Sequence, residues 1–152
     1  MIKQIFLALL LFSLVAVAFI AYQFVRSYRT GLRAQQVRIG EAVFNVEIAN
    51  TIPSRISGLS NRESLAEDAG MLFVFPVAMP QGFWMKDMKF PIDIIWIKEN
   101  RVVGLVIGAE PETGPDYTIY RSPEPVDKVL EINAGLSIKR GIKVGDDVRM
   151  VE

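Results

Sequence analysis

The sequence predicts a mainly β (α+β) domain, a single compact antiparallel barrel or sandwich with one or two short helices, preceded by one transmembrane helix. Short apolar segments recur with a turn signal roughly every 8–12 residues, as in small barrels and sandwiches. The longest apolar run stands at the start, and 152 residues leave room for one domain beside it. We therefore expect a transmembrane anchor at 1–25, a basic juxtamembrane linker at 26–36 and a β-rich domain at 37–152.

The apolar run Ile5–Val25 contains no charged residue. As a helix it would rise about 31 Å, which matches a hydrocarbon core of about 30 Å. We therefore expect residues 5–25 to span the lipid bilayer, which is the predicted partner of this segment. Two other interpretations stay open: a signal peptide cleaved after Ala18, and a helix buried in the core of the domain. The run continues past Ala18 through Phe19 and Ile20, which favours a retained single-pass anchor.

Charge is distributed unevenly between the two parts of the chain. The first 36 residues carry four basic side chains and no acid, which makes them +4: Lys3, Arg26, Arg29 and Arg33. The other 13 basic and 17 acidic residues give residues 37–152 a charge of −4. Nucleic-acid phosphates need clustered Lys and Arg, so we expect no nucleic-acid partner. The basic segment is better suited to anionic lipid headgroups.

The chain contains neither cysteine nor histidine. Their absence excludes disulfides, thiol nucleophiles, zinc sites of the usual Cys/His type and any Ser-His-Asp triad within this chain. No cofactor and no metal ion are expected. The catalytic residues, if there are any, stay unknown at this level.

In the first half of the domain, the sequence predicts three strands and one short helix. Period-2 alternation predicts a strand at Glu41–Ala49. A helix from Pro53 to Asn61 follows, because polar capping residues precede a proline that a first helical turn tolerates. Glycine and proline bracket the apolar run Met71–Phe75, which favours a strand buried on both faces. A further strand is expected at Phe83–Met85.

The second half predicts a hairpin and three more strands. Asp93 to Ile107 forms two apolar segments around a tight turn at Glu99-Asn100, which indicates the hairpin. The remaining elements, in order, are a loop at Gly108–Pro115, an edge strand at Tyr117–Arg121, a strand at Lys128–Ile132, a helical turn at Ala134–Arg140 and a last strand at Asp147–Val151.

The segment Phe83–Ile97, FWMKDMKFPIDIIWI, resembles the DUF192 (UPF0127) family of small bacterial and archaeal proteins, which has no assigned function. Further motifs that resemble the family follow in order: Gly58-Leu59 with Arg62, Gly70 to Phe75, Val129-Leu130-Glu131 with Ala134-Gly135, and Gly141-Ile142 with Gly145-Asp146 and Val148. Together they cover roughly residues 42–151.

Three positions depart from the family pattern. Ser60 stands where the family usually has Met, Asp87 where it usually has Asn, and Trp96 where it usually has Phe. The change at Asp87 puts in doubt any role that requires a neutral amide there. Family members often begin with a signal or anchor segment and resemble exported proteins, so the resemblance favours an extracytoplasmic domain. The basic residues after the apolar run favour a cytoplasmic domain instead, because positively charged flanking segments tend to stay on the cytoplasmic side of a membrane.

The most concentrated polar and aromatic set is a candidate binding rim, which consists of Trp84, Lys86, Asp87, Asp93 and Glu131. Trp84 and Lys86 would share a strand face, and Asp93 opens the next strand. In the structural alternative, Lys86 and Asp93 form an ion pair and Trp84 packs in the core.

Other chemistries have weaker support. Asp87 and Asp93 are a conceivable acid–base pair, and Lys86 or Lys128 with Ser122 a conceivable dyad. The acidic loop Glu110–Asp116 lacks the ligand spacing of a calcium loop. An aromatic set is expected to pack the core, and it leaves a ligand pocket at the rim open: Phe73, Phe75, Phe83, Trp84, Phe90 and Trp96.

Three functions stay open. The leading hypothesis is a non-enzymatic binding module, a membrane-tethered β domain that holds a protein, peptide or small ligand near the bilayer. The second is an enzyme that uses Lys86, Asp87 and Asp93. The third is a structural accessory subunit whose membrane span packs against a membrane-protein partner.

Overall fold

The computed structural model describes residues 13–22, 34–114 and 116–151. Residues 13–22 form a helix, α1, within the predicted anchor, and the rest of residues 1–33 lies outside the described residues. No helix in the described ranges is both long enough and apolar enough to cross a membrane. The side chains of α1 belong to neither apolar cluster of the domain, which gives the core-helix alternative no support.

The described chain after α1 forms nine strands and two short helices. In chain order they are β1 (Ala34–Ile39), β2 (Ala42–Ala49), α2 (Ile52–Ser57), β3 (Ala69–Met79), β4 (Gly82–Phe83), β5 (Ile92–Lys98), β6 (Arg101–Ala109), β7 (Tyr120–Arg121), β8 (Val126–Asn133), α3 (Leu136–Lys139) and β9 (Val148–Val151). The domain is therefore mainly β with few short helices, which confirms the predicted class.

Seven of these strands form one sheet in the order β6-β5-β8-β3-β2-β1-β9, and β4 pairs with β7 in a separate two-stranded ribbon. All pairs are antiparallel except β2 and β3, which run parallel. The sheet is mostly antiparallel, and the parallel pair is its one departure from the predicted antiparallel arrangement. The connection through α2 carries the chain back to the end of the sheet where β2 began, and a strand that starts there must run parallel to β2.

The sheet curls into a half-barrel, because its two edge strands meet at one end. The amide of Val102 in β6 donates to the carbonyl of Asp146 at 2.9 Å, and the amide of Val148 in β9 donates to the carbonyl of Asn100 at 2.8 Å. These bonds satisfy edge groups that an open sheet would leave unpaired.

Both faces of the sheet are covered by apolar side chains, which form two clusters. The first apolar cluster contains Leu72 and Ile95, and the second contains Met71 and Ile94. Because successive side chains of a strand point to opposite faces, β3 and β5 contribute to both clusters. The continuous apolar runs of these strands are thus explained by burial on both faces, as predicted.

Several element boundaries differ from the predictions. β1 begins at Ala34, inside the predicted linker 26–36. α2 ends at Ser57 instead of Asn61, because the chain turns at Gly58 with φ 48°. β3 continues through Pro76, and its ladder with β8 is interrupted between Val74 and Met79, where the proline lacks an amide hydrogen. The β-structure predicted at residues 83–85 is only the pair Gly82–Phe83.

Candidate functional site

A cavity of about 260 Å³ opens on the face of the sheet that carries the second apolar cluster. It lies between α2, the β4 segment and strands β3 and β8, and we call it the Glu131 cavity. Four aromatic side chains line it: Phe73, Phe75, Phe83 and Trp84. Its volume is slightly below the usual range for small-molecule sites, which begins at about 300 Å³.

The helix α2 forms one wall of the cavity, and local sequence determines where it begins and ends. Thr51 caps its N-terminus, since the Thr51 hydroxyl accepts from the Ser54 amide at 3.2 Å and the Ser54 hydroxyl accepts from the Thr51 amide at 3.0 Å. At the other end, a Cβ on Gly58 would lie 3.3 Å from the Phe73 ring. Glycine therefore allows the end of α2 to rest against the aromatic wall.

The aromatic walls are held by ring contacts. The rings of Phe73 and Phe83 meet edge to face with centroids 4.8 Å apart, and Phe83 meets Trp96 in the same way at 5.6 Å. The Arg55 guanidinium lies 5.3 Å from the centre of the Phe75 ring and donates to the Val74 carbonyl at 2.8 Å. These contacts give the cavity a preformed shape.

Glu131 is the most unusual residue of the cavity. It lies on β8 opposite Met71 of β3 and Ile94 of β5, and only 5% of its surface is exposed. Its carboxyl group forms no hydrogen bond or ion pair with another residue in the described ranges, and its oxygens are not fully enclosed. Burial raises the pKa of Glu131 to about 8, so the group is a neutral acid at pH 7 and carries a proton that it can donate.

Gln81 adds a second unpartnered polar group to the same cavity. Its backbone is fixed, because its amide donates to the Ser122 hydroxyl and its carbonyl accepts from the Ser122 amide, both at 3.0 Å. Its side-chain Nε2 is buried without a hydrogen-bond partner among the described residues. Buried polar groups without partners are uncommon in native proteins, and one beside the unpaired Glu131 carboxyl suggests that a ligand supplies the missing partner.

The structure divides the predicted binding rim. Trp84 and Glu131 both line the Glu131 cavity, and Trp84 is 50% exposed at its mouth instead of packing in the core. Lys86 and Asp87 are exposed on the turn after β4 and do not line the cavity. Asp93 is fully buried elsewhere.

The predicted ion pair between Lys86 and Asp93 does not form. Asp93 instead accepts three backbone hydrogen bonds of 2.9 Å, from Gly108 and Gly135 on Oδ1 and from Ser137 on Oδ2. These amides belong to the end of β6, the turn after β8 and the start of α3. Asp93 therefore links three segments, and its role is structural.

The turn at Asp87 explains two of the departures from the family pattern. Asp87 has φ 58°, a left-handed conformation that Asn adopts readily and Asp tolerates. Its carbonyl accepts from the Asn61 amide at 2.7 Å, and the Ser60 hydroxyl donates to the Lys86 carbonyl at 3.0 Å. The third departure, Trp96, is buried in the second apolar cluster, where its ring contacts Phe83.

The structure separates the predicted acid–base pair, and in the described ranges Ser122 has no hydrogen bond to Lys86 or Lys128. Asp93 is inaccessible to a substrate, so it cannot act with the exposed Asp87. Ser122 accepts from the Gln81 amide, while Lys128 donates to Asp127. Within residues 13–22, 34–114 and 116–151, no three acidic side chains gather closely enough to hold a metal ion.

Sequence reasoning missed Gln81 and Arg55. Neither residue belongs to a motif, and they line the cavity because the β4 segment and α2 meet over the same face of the sheet. No signal in the sequence places those two segments together. The aromatic set did contain four of the lining residues, although it did not separate them from the buried Trp96.

Arg62, one of the residues that carried the resemblance, stabilises the connection between β2 and β3. Its guanidinium donates to both oxygens of Glu47, at 2.6 and 2.8 Å. This bidentate hydrogen bonding lowers the pKa of the Glu47 carboxyl. The motif residue therefore has a structural role on β2.

Comparison with solved structures gives two similar proteins. A protein of unknown function from Novosphingobium aromaticivorans is 35% identical with a TM-score of 0.72, and the match covers 78% of this chain and 86% of the other. A protein from Sinorhizobium meliloti, described as a candidate transcription regulator, is 31% identical with a TM-score of 0.73, covering 79% and 95%. No curated protein matches the chain.

The DUF192 family profile, described as "Uncharacterized ACR", matches residues 35–150. This range includes all nine strands except the ends of the first and the last. The chain belongs to the DUF192 family.

Proposed function

We propose that the domain is a non-enzymatic binding module whose Glu131 cavity holds a small ligand with an apolar, ring-sized body and one hydrogen-bonding group. The observation that carries the proposal is an aromatic cavity that holds the largely buried Glu131 side chain beside Gln81 Nε2, a buried atom with no hydrogen-bond partner in the described part of the chain. A buried polar group that lacks a partner reduces stability, so its presence needs a reason outside the fold.

The composition of the cavity supports a small molecule as the ligand. Small-molecule sites are concave and mostly apolar, with a few polar groups that orient the ligand. Here the rings of Phe83 and Trp84 would contact the apolar body, while Glu131 and Gln81 would bind its polar end. Ile52 and Ile56 on α2 are about two-thirds exposed beside the mouth and would extend the apolar contact.

Nucleic-acid binding, which the name of the Sinorhizobium protein raises, has less support here. Residues 37–152 carry a net charge of −4, the wrong sign for phosphate contacts. The helices of the described domain have six and four residues, whereas groove recognition uses longer helices.

A panel of small aromatic probes tests the binding module. We expect indole, benzamide and phenylpropyl compounds to shift the NMR signal of the Trp84 indole in the full-length chain held in phosphatidylcholine nanodiscs. Glu131→Leu should weaken binding at least tenfold while raising the stability of the fold, because it removes the unpartnered carboxyl. Binding that is equally strong in Glu131→Leu would contradict the proposal.

Two isoleucines on short helices provide a matched control. Ile56 on α2 lines the cavity and is 70% exposed, whereas Ile138 on α3 is 71% exposed and does not line it. Ile56→Ala should weaken probe binding, and Ile138→Ala should leave the affinity unchanged. Equal effects of the two changes would indicate nonspecific association with exposed apolar surface.

We further propose that the apolar run at residues 5–25 holds this domain at the membrane, with the domain on the extracytoplasmic side. The length and apolar character of the run support a single span. The full-length protein should then stay in the membrane fraction after high-salt and alkaline washing, while a variant with Leu10, Val15 and Ile20 changed to Asp should be released. Recovery of a soluble wild-type chain that begins at Phe19 would establish cleavage instead.

A further inference from the structure

Three side chains that line the Glu131 cavity can donate a hydrogen bond or a positive charge to a ligand: Arg55, Gln81 and Glu131. Gln81 Nε2 is a buried donor that no residue of the described ranges accepts from. Glu131 donates a proton while its carboxyl is neutral, and Arg55 contributes a guanidinium to the wall. A ligand with acceptor atoms would match these three groups.

The charge of the cavity also favours an acceptor that is negative. Arg55 and Glu131 are the two ionisable residues among those that line it. While Glu131 is neutral, the net charge of the lining is therefore +1 from Arg55. The cation–π position over Phe75 is already occupied by the Arg55 guanidinium, so this ring is not open to a cationic ligand.

Neighbouring strands supply no charge that would reverse this sign. β3 carries no ionisable side chain, and β4 carries none either. On β5, Asp93 pairs with Ile132 and so lies on the opposite face of the sheet from Glu131. Lys98 is at the end of β5 and forms an ion pair with Glu124 at 2.6 Å.

We infer that the ligand of the Glu131 cavity is a small monocarboxylate with an aromatic or short aliphatic body, whose carboxylate is received by the Gln81 amide, the Glu131 acid and the charge of Arg55. This inference rests on the proposed binding function and specifies its ligand class. An acid–carboxylate hydrogen bond is charge-assisted and is strengthened in an apolar site. The raised pKa of Glu131 is consistent with it, because an ionised Glu131 would repel the ligand.

Three probes with the same body separate the possible head groups: 3-phenylpropanoate, 3-phenylpropan-1-ol and 3-phenylpropylamine. Calorimetric titration of the full-length chain at pH 6.5 should show the carboxylate binding at least tenfold more tightly than the amine, with the alcohol between them. Raising the pH to 9 should weaken carboxylate binding about tenfold, because Glu131 then loses its proton. Alcohol binding should change much less.

Variants of the donors sharpen the test. Gln81→Glu replaces a donor with a carboxylate of similar size and should reverse the preference from the carboxylate probe to the amine probe. Arg55→Met should weaken binding of the carboxylate at least fivefold and leave that of the alcohol nearly unchanged. Circular dichroism of both variants establishes that the fold is retained.

The outcomes distinguish the two levels of the proposal. If the amine binds most tightly and its binding releases a proton and strengthens at pH 9, the site is a cation site; the monocarboxylate inference is then wrong and the binding function stands. If none of the three probes binds, nor any other probe of the panel, the proposed function itself fails. Tight carboxylate binding that Gln81→Glu and Arg55→Met leave unchanged also overturns the assigned geometry.

Discussion

The stability of the wild-type chain is expected to fall as the pH rises from about 4.5 to 8, and Glu131→Gln is expected to remove most of this fall. Burial raises the pKa of Glu131 from 4.5 to about 8. In this window the folded chain retains a proton that the unfolded chain has lost, so the unfolded state binds fewer protons and stability decreases with pH. The shift in the pKa of Glu131 corresponds to a loss of about 5 kcal/mol in the free energy of unfolding across this pH window.

Urea melts at pH 5, 7 and 9 measure this effect. Both tryptophans of the chain lie in the domain, at positions 84 and 96, so their fluorescence reports its unfolding. Glu131→Gln should match the wild type at pH 5 and exceed it by several kcal/mol at pH 9. Parallel stability curves for the two proteins would show that Glu131 is solvated or paired in solution.

Glu47 provides a control of opposite sign. The pKa of the Glu47 carboxyl is lowered in the folded protein, mainly by the hydrogen bonds from Arg62. Ionised Glu47 therefore stabilises the fold above the pKa that it has in the unfolded chain, and this stabilisation is lost as the pH falls. Glu47→Gln should therefore flatten the acid side of the stability curve. It should leave the fall between pH 5 and 9 in place, because that fall belongs to Glu131.

Asp93→Ala is expected to destabilise the domain by about 3–5 kcal/mol, since it leaves three backbone amides, one of them in the buried residue Ser137, without their acceptor. The amides of Gly108, Gly135 and Ser137 all donate to its carboxylate. Urea melts of the full-length chain again provide the measurement. Asp116, an exposed carboxylate, is the control, and its change to Ala should stay within about 0.5 kcal/mol.

The double change Lys86→Met with Asp93→Leu separates this role from the ion pair that the sequence suggested. Because the partners of Asp93 are backbone amides, removal of Lys86 cannot relieve their loss. Lys86→Met alone should have little effect, and the double variant should be no more stable than Asp93→Leu. Recovery of stability in the double variant would show that a charge on Lys86 does interact with Asp93.

Local sequence was sufficient to predict the strands whose apolar runs are buried on both faces. The runs at 71–75 and 94–97 have no polar position and are bracketed by turn residues. Since successive side chains of a strand point to opposite faces, such a run predicts a strand that is buried on both faces. The hairpin at Glu99-Asn100 was equally local, and the motifs identified the family. β1 was not predicted, because Gln35 and Gln36 are exposed and follow a basic segment, which leaves only Val37 and Ile39 to show an alternation.

Strand pairing decided what the sequence left open, above all the relation between Asp93 and Glu131. In the pairing of β5 with β8, Asp93 lies opposite Ile132 and Ile94 lies opposite Glu131. Residues directly opposite share a face, and successive residues alternate, so the two carboxyls point to opposite sides of one sheet. A shift of register by one residue would exchange the faces of a whole strand. Register depends on contacts between distant segments, so only the tertiary structure could assign Asp93 to the fold and Glu131 to the cavity.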